Sequence, residues 1–298
     1  MKNKKRIYIG IIIIIIAMIV FISNISINTD GNTTVEQLKN SGHSQMMGYI
    51  IKTDNDKIIV IDGGTSDDTE NLLNKINEYT GKVDYWFITH PHRDHATCFI
   101  DIVENYNIDI GKIYVTVNDE NWYRKYGDGR EEECIKFLNT LKNQKIADKV
   151  EEVYLNQEIQ IDNIKCEILG IKNPEIITNA INNSSMVIKM VTKNNSILFL
   201  GDTGVESGNK LLEKQSDKLK VNILQMAHHG QQGVSKEIYE FINPQICLWP
   251  TPDWLWINDS GDGEDSGTWK TKETRQWIEE LNVKNNIIEK DGNIKISI

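Results

Sequence analysis

The chain has 298 residues, 39% of them hydrophobic and 26% charged, with 5 prolines and 20 glycines. This is globular composition, and with a mean hydropathy of −0.41 it excludes collagen-like, Pro/Gly-rich and polytopic membrane proteins. The 33 bases against 43 acids give a net charge of −10; without Lys2, Lys4, Lys5 and Arg6, 29 bases face the same 43 acids, or −14, a poor electrostatic footprint for a general nucleic-acid binder.

Residues 1–29 read as a targeting segment rather than as fold. A basic start precedes the apolar run 7–22, and no charge follows until Asp30. The run lies between a signal core and a full membrane span, and no Ala-x-Ala-like cleavage site follows it. The pattern favours an uncleaved single-pass anchor, with secretion after cleavage as the alternative. The basic flank then stays inside and the remainder lies outside the cytoplasmic membrane. Residues 30–44 read as a polar linker, and 45–298 as one domain.

Apolar alternation predicts a strand pair at 48–53 and 57–62, turned at Asp54-Asn55-Asp56. Helical spacing follows at 67–79, a short apolar strand at 83–89, a helix at 95–106 and a strand at 113–117. An amphipathic helix is expected at 131–141, then short strands at 150–155, 158–161, 165–169, 186–191 and 196–200. A helix at 206–215, a strand at 221–226, a helix at 236–242, a strand at 245–249, a helix at 272–281 and two last strands complete the chain. Residues 118–130 and 251–269 read as loops. Two strand-rich halves with interspersed helices imply two packed sheets covered by helices.

The chemistry concentrates at strand ends. Of 6 histidines, His90, His92 and His95 fall within six positions, with Asp94 among them, directly after the strand at 83–89. Imidazoles and a carboxylate at this density suit a divalent transition metal. His90 and His92 can face one ion from an extended loop; Asp94 and His95, at a helix start, can face a second. The strand at 196–200 runs into Gly201-Asp202, where one carboxylate can bridge two metals. The strand at 221–226 runs into Ala227-His228-His229-Gly230.

Together these residues resemble the metallo-β-lactamase superfamily, whose His-x-His-x-Asp-His signature is matched in full by His90, His92, Asp94 and His95. Asp62-Gly63-Gly64 after an apolar strand, Asn182-Asn183-Ser184-Ser185, Gly201-Asp202 and His228-His229-Gly230 look like the subgroup of ComEC-type DNA-uptake hydrolase domains and phosphorylcholine esterases. The resemblance covers about residues 45–250. It implies an α/β fold, a four-layer αββα sandwich, with two divalent ions at one sheet edge, Zn²⁺ first and Mn²⁺ second. Carried over residue by residue, His90 and His92 would hold metal one, Asp94 and His95 metal two, and Asp202 would bridge. One of His228 and His229 would close metal two and the other would face the substrate oxyanion. Asp94 would also orient an attacking hydroxide, while Asp62, Asn182, Asn183 and Ser185 are candidates for contact with substrate or with the ligands. Many superfamily members place a further His between the signature and the Gly-Asp; here none lies between His95 and Asp202.

Two close divalent ions generate hydroxide from water near neutral pH and stabilise charge on the attacked group, so the class is hydrolysis of an ester, phosphodiester or amide. The resemblance favours a phosphodiester, and the charge of −14 favours a small or envelope-borne one over DNA. A lactam or lactone hydrolase and a catalytically silent metal-binding surface module are the alternatives. No protein partner is evident. The aromatics Trp122, Tyr123, Tyr126, Trp249, Trp254 and Trp256 are candidates for a substrate pocket or, more simply, for packing loops onto the core. The acidic stretch 259–265 lacks EF-hand spacing and reads as solvated loop, with calcium binding as the lesser alternative. Cys98, Cys134, Cys166 and Cys247 contain no Cys-x-x-Cys pair and read as buried thiols.

Overall fold

The computed structural model describes residues 32–298, so the expected anchor at 1–29 lies outside the described residues. No helix among the described residues is long and apolar enough to cross a membrane.

Among the described residues, fourteen strands make two seven-stranded sheets. The first holds β1 (Thr34–Gln37), β2 (Gly48–Lys52), β3 (Ile58–Asp62), β4 (Lys82–Ile88), β5 (Asp109–Val115) and β6 (Val150–Glu152) in chain order. The second holds β7 (Glu158–Ile161), β8 (Ile164–Gly170), β9 (Val187–Val191), β10 (Ser196–Phe199), β11 (Ile223–Gln225), β12 (Ile246–Trp249) and β13 (Asn285–Ile288). The last strand, β14 (Ile294–Ser297), returns to the first sheet and pairs antiparallel with β1.

Continuous apolar runs are buried on both faces, as a sheet covered on both sides requires. In β3, Ile59 and Ile61 face the second sheet, meeting Ile188, Met190, Ile197 and Phe199 in the inter-sheet core. Its other residues, Ile58 and Val60, face α1 (Thr69–Tyr79), α2 (Arg93–Asn105) and α4 (Glu131–Thr140) through Leu72, Ile76, Phe99, Ile102 and Phe137. The outer face of the second sheet packs Leu198, Leu224 and Cys247 on Leu211, Ile238 and Ile278 of α5 (Val205–Gln215), α6 (Lys236–Ile242) and α8 (Thr271–Glu280). The layers are therefore αββα, as expected. All four cysteines are free and buried.

Two expectations are corrected. Residues 34–37, expected inside a linker at 30–44, form β1, hydrogen-bonded on both sides. Hydropathy misses it because Glu36 and Gln37 are buried through polar bonds: Tyr79 Oη donates to Glu36 at 2.6 Å, Tyr49 Oη to Gln37 Oε1 at 3.1 Å, and Gln37 Nε2 to the Trp249 carbonyl at 3.2 Å. The stretches 118–130 and 251–269, expected as loop, contain the short helices α3 (Glu120–Tyr126) and α7 (Asp253–Trp256). Asp119 caps α3 by accepting the Trp122 N–H at 2.9 Å.

Candidate metal centre

Two parallel pairs, β3 with β4 and β10 with β11, point their C-terminal ends to one edge of the sandwich. The chain leaves each strand there through a turn that carries polar side chains. Asp62 ends β3 at φ 53°, Gly201 follows β10 at φ 56°, and His228, His229 and Gly230 follow β11 at φ 49°, 54° and 77°. Left-handed backbone at non-glycine residues costs roughly 1–2 kcal/mol each, and its clustering at one edge marks a built site. Gly230 cannot carry a side chain, since a Cβ there would lie 2.6 Å from the Trp249 ring.

Six side chains form two groups of three with ligand atoms within 4.8 Å of one another: His90, His92 and Asp202, and Asp94, His95 and His229. Asp202 stands between the groups. Its Oδ1 lies 3.2 Å from His95 Nε2, and its Oδ2 lies 3.8 Å from the Nε2 atoms of His90, His228 and His229. His229 Nε2 is 3.2 Å from Asp94 Oδ2.

Outer hydrogen bonds fix the rings. His95 Nδ1 donates to Asp62 Oδ2 at 2.8 Å, and His229 Nδ1 to the Pro250 carbonyl at 2.8 Å. Each bond turns the Nε2 lone pair inward. His95 Nε2, His229 Nε2 and Asp202 Oδ1 are buried with no hydrogen-bond partner among the described residues. Their nearest partners are ion-pair contacts at 3.2 Å, His95 Nε2 with Asp202 Oδ1 and His229 Nε2 with Asp94 Oδ2. Two inward nitrogens and a carboxylate oxygen on a shared centre belong to a donor set suited to divalent transition metals. The residues present therefore fit a pair of such ions.

The same geometry sorts the protons. Burial pulls His90 well below the ordinary histidine range and His92 down to about 4. Burial also pulls on His95 and His229, but Asp202 outweighs it, with Asp62 at His95 and Asp94 at His229, and both are raised. Burial pushes Asp202 up, yet His95, His229 and His228 hold it well below the usual carboxylate range.

Of the two histidines left open above, His229 is the one whose ring lies with Asp94 and His95. His228 lies outside both groups and is partly exposed, its side chain retaining 18% of its accessible surface. Its Nε2 is 3.3 Å from Asn182 Nδ2, which also donates to Asn179 Oδ1 at 3.0 Å. Ser185 Oγ lies 3.3 Å from His90 Nδ1 and accepts the Asp202 N–H at 3.1 Å.

Two candidates for substrate contact do not reach the opening. Asp62 is fully buried behind His95, accepting also the Thr89 N–H and Oγ–H, each at 2.7 Å. Asn183 is fully buried and turned towards α5, accepting the Ser207 N–H at 3.1 Å and donating to Glu206 at 3.0 Å. Asp62 thus touches a ligand, His95, and not the opening, while Asn183 touches neither, because the turns direct these side chains inward, where backbone and helix-end groups need partners. Thr89 and Gln225 also support the ligand loops, and composition did not single them out. A clue was present for each, since Thr89 abuts the histidine signature and Gln225 is the one polar residue inside β11.

The aromatics pack loops. Trp249 and Trp256 meet edge-on at 5.3 Å, Trp254 packs on Trp269 and donates to the His43 carbonyl, and Trp122 packs on Tyr123 and Tyr126. A cavity of about 180 Å³ with Ser185 and Thr203 in its wall has aliphatic and lysine side chains and none of these rings.

A family model described as the metallo-beta-lactamase superfamily matches residues 44–244. No curated protein matches. Among solved structures, the chain is similar to CmlA, a diiron β-hydroxylase from Streptomyces venezuelae, with a TM-score of 0.56 and 12% identity over 91% of this chain and 55% of that one. It is also similar to YhfI, a metallo-beta-lactamase fold protein from Bacillus subtilis, with a TM-score of 0.52 and 13% identity over 89% and 99% of the two chains. At such identities the likeness is one of fold, and this chain spans about half the length of CmlA.

Proposed function

This chain belongs to the metallo-beta-lactamase superfamily, and from that premise we propose that it is a dinuclear metal-dependent phosphodiesterase acting on a small or envelope-borne phosphodiester. The observation that carries the reading is the pair of three-residue groups meeting at Asp202. His90 and His92 would hold one ion and Asp94, His95 and His229 the other, with Asp202 within reach of both. When bound, two such ions supply hydroxide at neutral pH and neutralise charge on the attacked phosphoryl group.

The remaining steps belong to the chain. Asp94, 16% exposed at the mouth, orients the nucleophile, and Asn182, with Nδ2 3.3 Å from His228 Nε2, orients that ring. His228, kept neutral by burial, accepts a proton at Nε2 and returns it to the leaving group. The resemblance of Asn182 to Ser185 and of His228-His229-Gly230 to phosphodiester-cleaving relatives supports this substrate class over a lactam, and the net charge of −10 supports a small one over DNA. The basic and apolar start of the chain supports an extracytoplasmic, membrane-anchored placement.

The test is hydrolysis of bis(p-nitrophenyl) phosphate by the full-length chain loaded with Zn²⁺ or Mn²⁺, beside Asp202→Ala. Metal-dependent turnover that disappears in the variant supports the reading. Binding of two metals without phosphodiester turnover overturns it and moves the assay to lactams and lactones.

A further inference from the structure

We propose that Gln225 is a positioning residue for the metal centre: its buried amide clamps the turn bearing Asp202 to the turn bearing His228 and His229. The proposal rests on the reading of Asp202 and His229 as metal ligands.

Gln225 ends β11 opposite Phe199, the last residue of β10. Beyond that pair the ladder stops, because the chain must turn at Gly201 to deliver Asp202. The N–H groups of Leu200 and Gly201 therefore leave the sheet while still buried, where a donor without a partner is costly. Gln225 Oε1 accepts both, each at 2.8 Å. Its Nε2 donates to the Gly201 carbonyl at 3.2 Å and to the Met226 carbonyl at 2.6 Å. Two accepted and two donated bonds use the full capacity of a side-chain amide, and they fix which end is oxygen. The Gly201 carbonyl also accepts the His228 N–H at 3.0 Å. Gly201 is thus tied through both its N–H and its C=O to the strand that ends in the two histidines. Asp202 is the next residue, so a shift of Gly201 moves the carboxylate shared by both groups.

The side chain is fully buried and touches no ligand atom in these bonds, so its influence runs through the backbone. Partners that hold metal ligands from behind commonly set affinity by about 10–100-fold. The experiment compares the full-length chain with Gln225→Met and Gln225→Glu. Zn²⁺ affinity is measured by competition with a chromophoric chelator, and the melting temperature is measured without metal. Gln225→Met keeps the volume and loses all four bonds; it is expected to weaken Zn²⁺ binding about 10–100-fold. Gln225→Glu keeps an acceptor for both N–H groups and faces its second oxygen to two carbonyls, so its affinity is expected to fall between the other two.

A merely structural role predicts a lower metal-free melting temperature with Zn²⁺ affinity unchanged, and that result overturns the proposal. If Gln225→Met does not fold, Gln225→Glu carries the test, and wild-type affinity in that variant overturns it equally. Neither readout involves a substrate, so loss of the phosphodiesterase reading leaves this result intact.

Discussion

The two halves of the metal centre are held differently. In the group of Asp94, His95 and His229, both rings are anchored from behind at 2.8 Å, one by a carboxylate and one by a backbone carbonyl. In the group of His90, His92 and Asp202 the ring supports are hydroxyls at longer range: Thr89 Oγ1 at 3.2 Å and Ser185 Oγ at 3.3 Å from His90 Nδ1. His92 Nδ1 lies 3.1 Å from His90 Nε2. The first arrangement arrives with its Nε2 atoms aimed; the second must still settle its rings when an ion enters. The missing histidine between His95 and Asp202 deepens the difference, since Ser185 reaches His90 from behind. The contrast implies one tight and one weaker metal in the same edge of the sheet.

Removing the shared residue should abolish the contrast. Asp202→Ala is expected to lose the weaker metal, loosen the tighter one and lower phosphodiester turnover at least about 10³-fold; metal stoichiometry and kcat measured together check it. His228→Ala probes the other side, because His228 stands outside both groups. It should retain both metals while kcat falls about 10²-fold, the usual contribution of a positioned proton acceptor. Loss of a metal in this variant would place His228 among the ligands.

Local pattern made much of this site legible. His90, His92, Asp94 and His95 sit within one turn after an apolar strand, so strand, loop and ligands are read from adjacent residues. The sheets were legible too, because β3, β4 and β12 are apolar along most of their length. What was not legible depends on contacts distant in sequence. The different placing of His228 and His229 depends on the Pro250 carbonyl, 21 residues on, and on two left-handed backbone positions. Asp62 was recognised as part of a motif, but its service to His95, 33 residues away, needs the fold. The strand β1 escaped notice because its polar side chains bury against partners far along the chain, such as Trp249.

The contrast sharpens through Asp62. Its Oδ2 accepts both the His95 Nδ1–H and the Thr89 Oγ–H. In Asp62→Asn, Oδ1 can stay with the Thr89 N–H, which leaves an NH₂ group facing His95 Nδ1. That ring nitrogen must then accept, and the proton moves to Nε2, the atom turned to the metal. Affinity at the tighter position should fall about 10–100-fold while the weaker position is unchanged. A two-site Zn²⁺ titration separates the two, and equal loss at both would break the distinction between the groups.

The last contrast is in pH. In the metal-free protein, the carboxylates around His95 and His229 raise both histidines above the ordinary range, whereas burial lowers His90, and lowers His92 to about 4. A metal entering the Asp94–His95–His229 group must displace protons, and its affinity should weaken as pH falls below those raised values, by about tenfold per pH unit for each proton displaced. A metal entering the His90–His92–Asp202 group meets rings already neutral, and its affinity should stay flat until pH approaches 4. The position that binds more tightly at neutral pH is therefore the one that loses affinity first on acidification, so the two constants converge between pH 7 and 5. Zn²⁺ titrations across that range check it; parallel slopes at the two positions would mean that the protonation contrast between the groups does not exist.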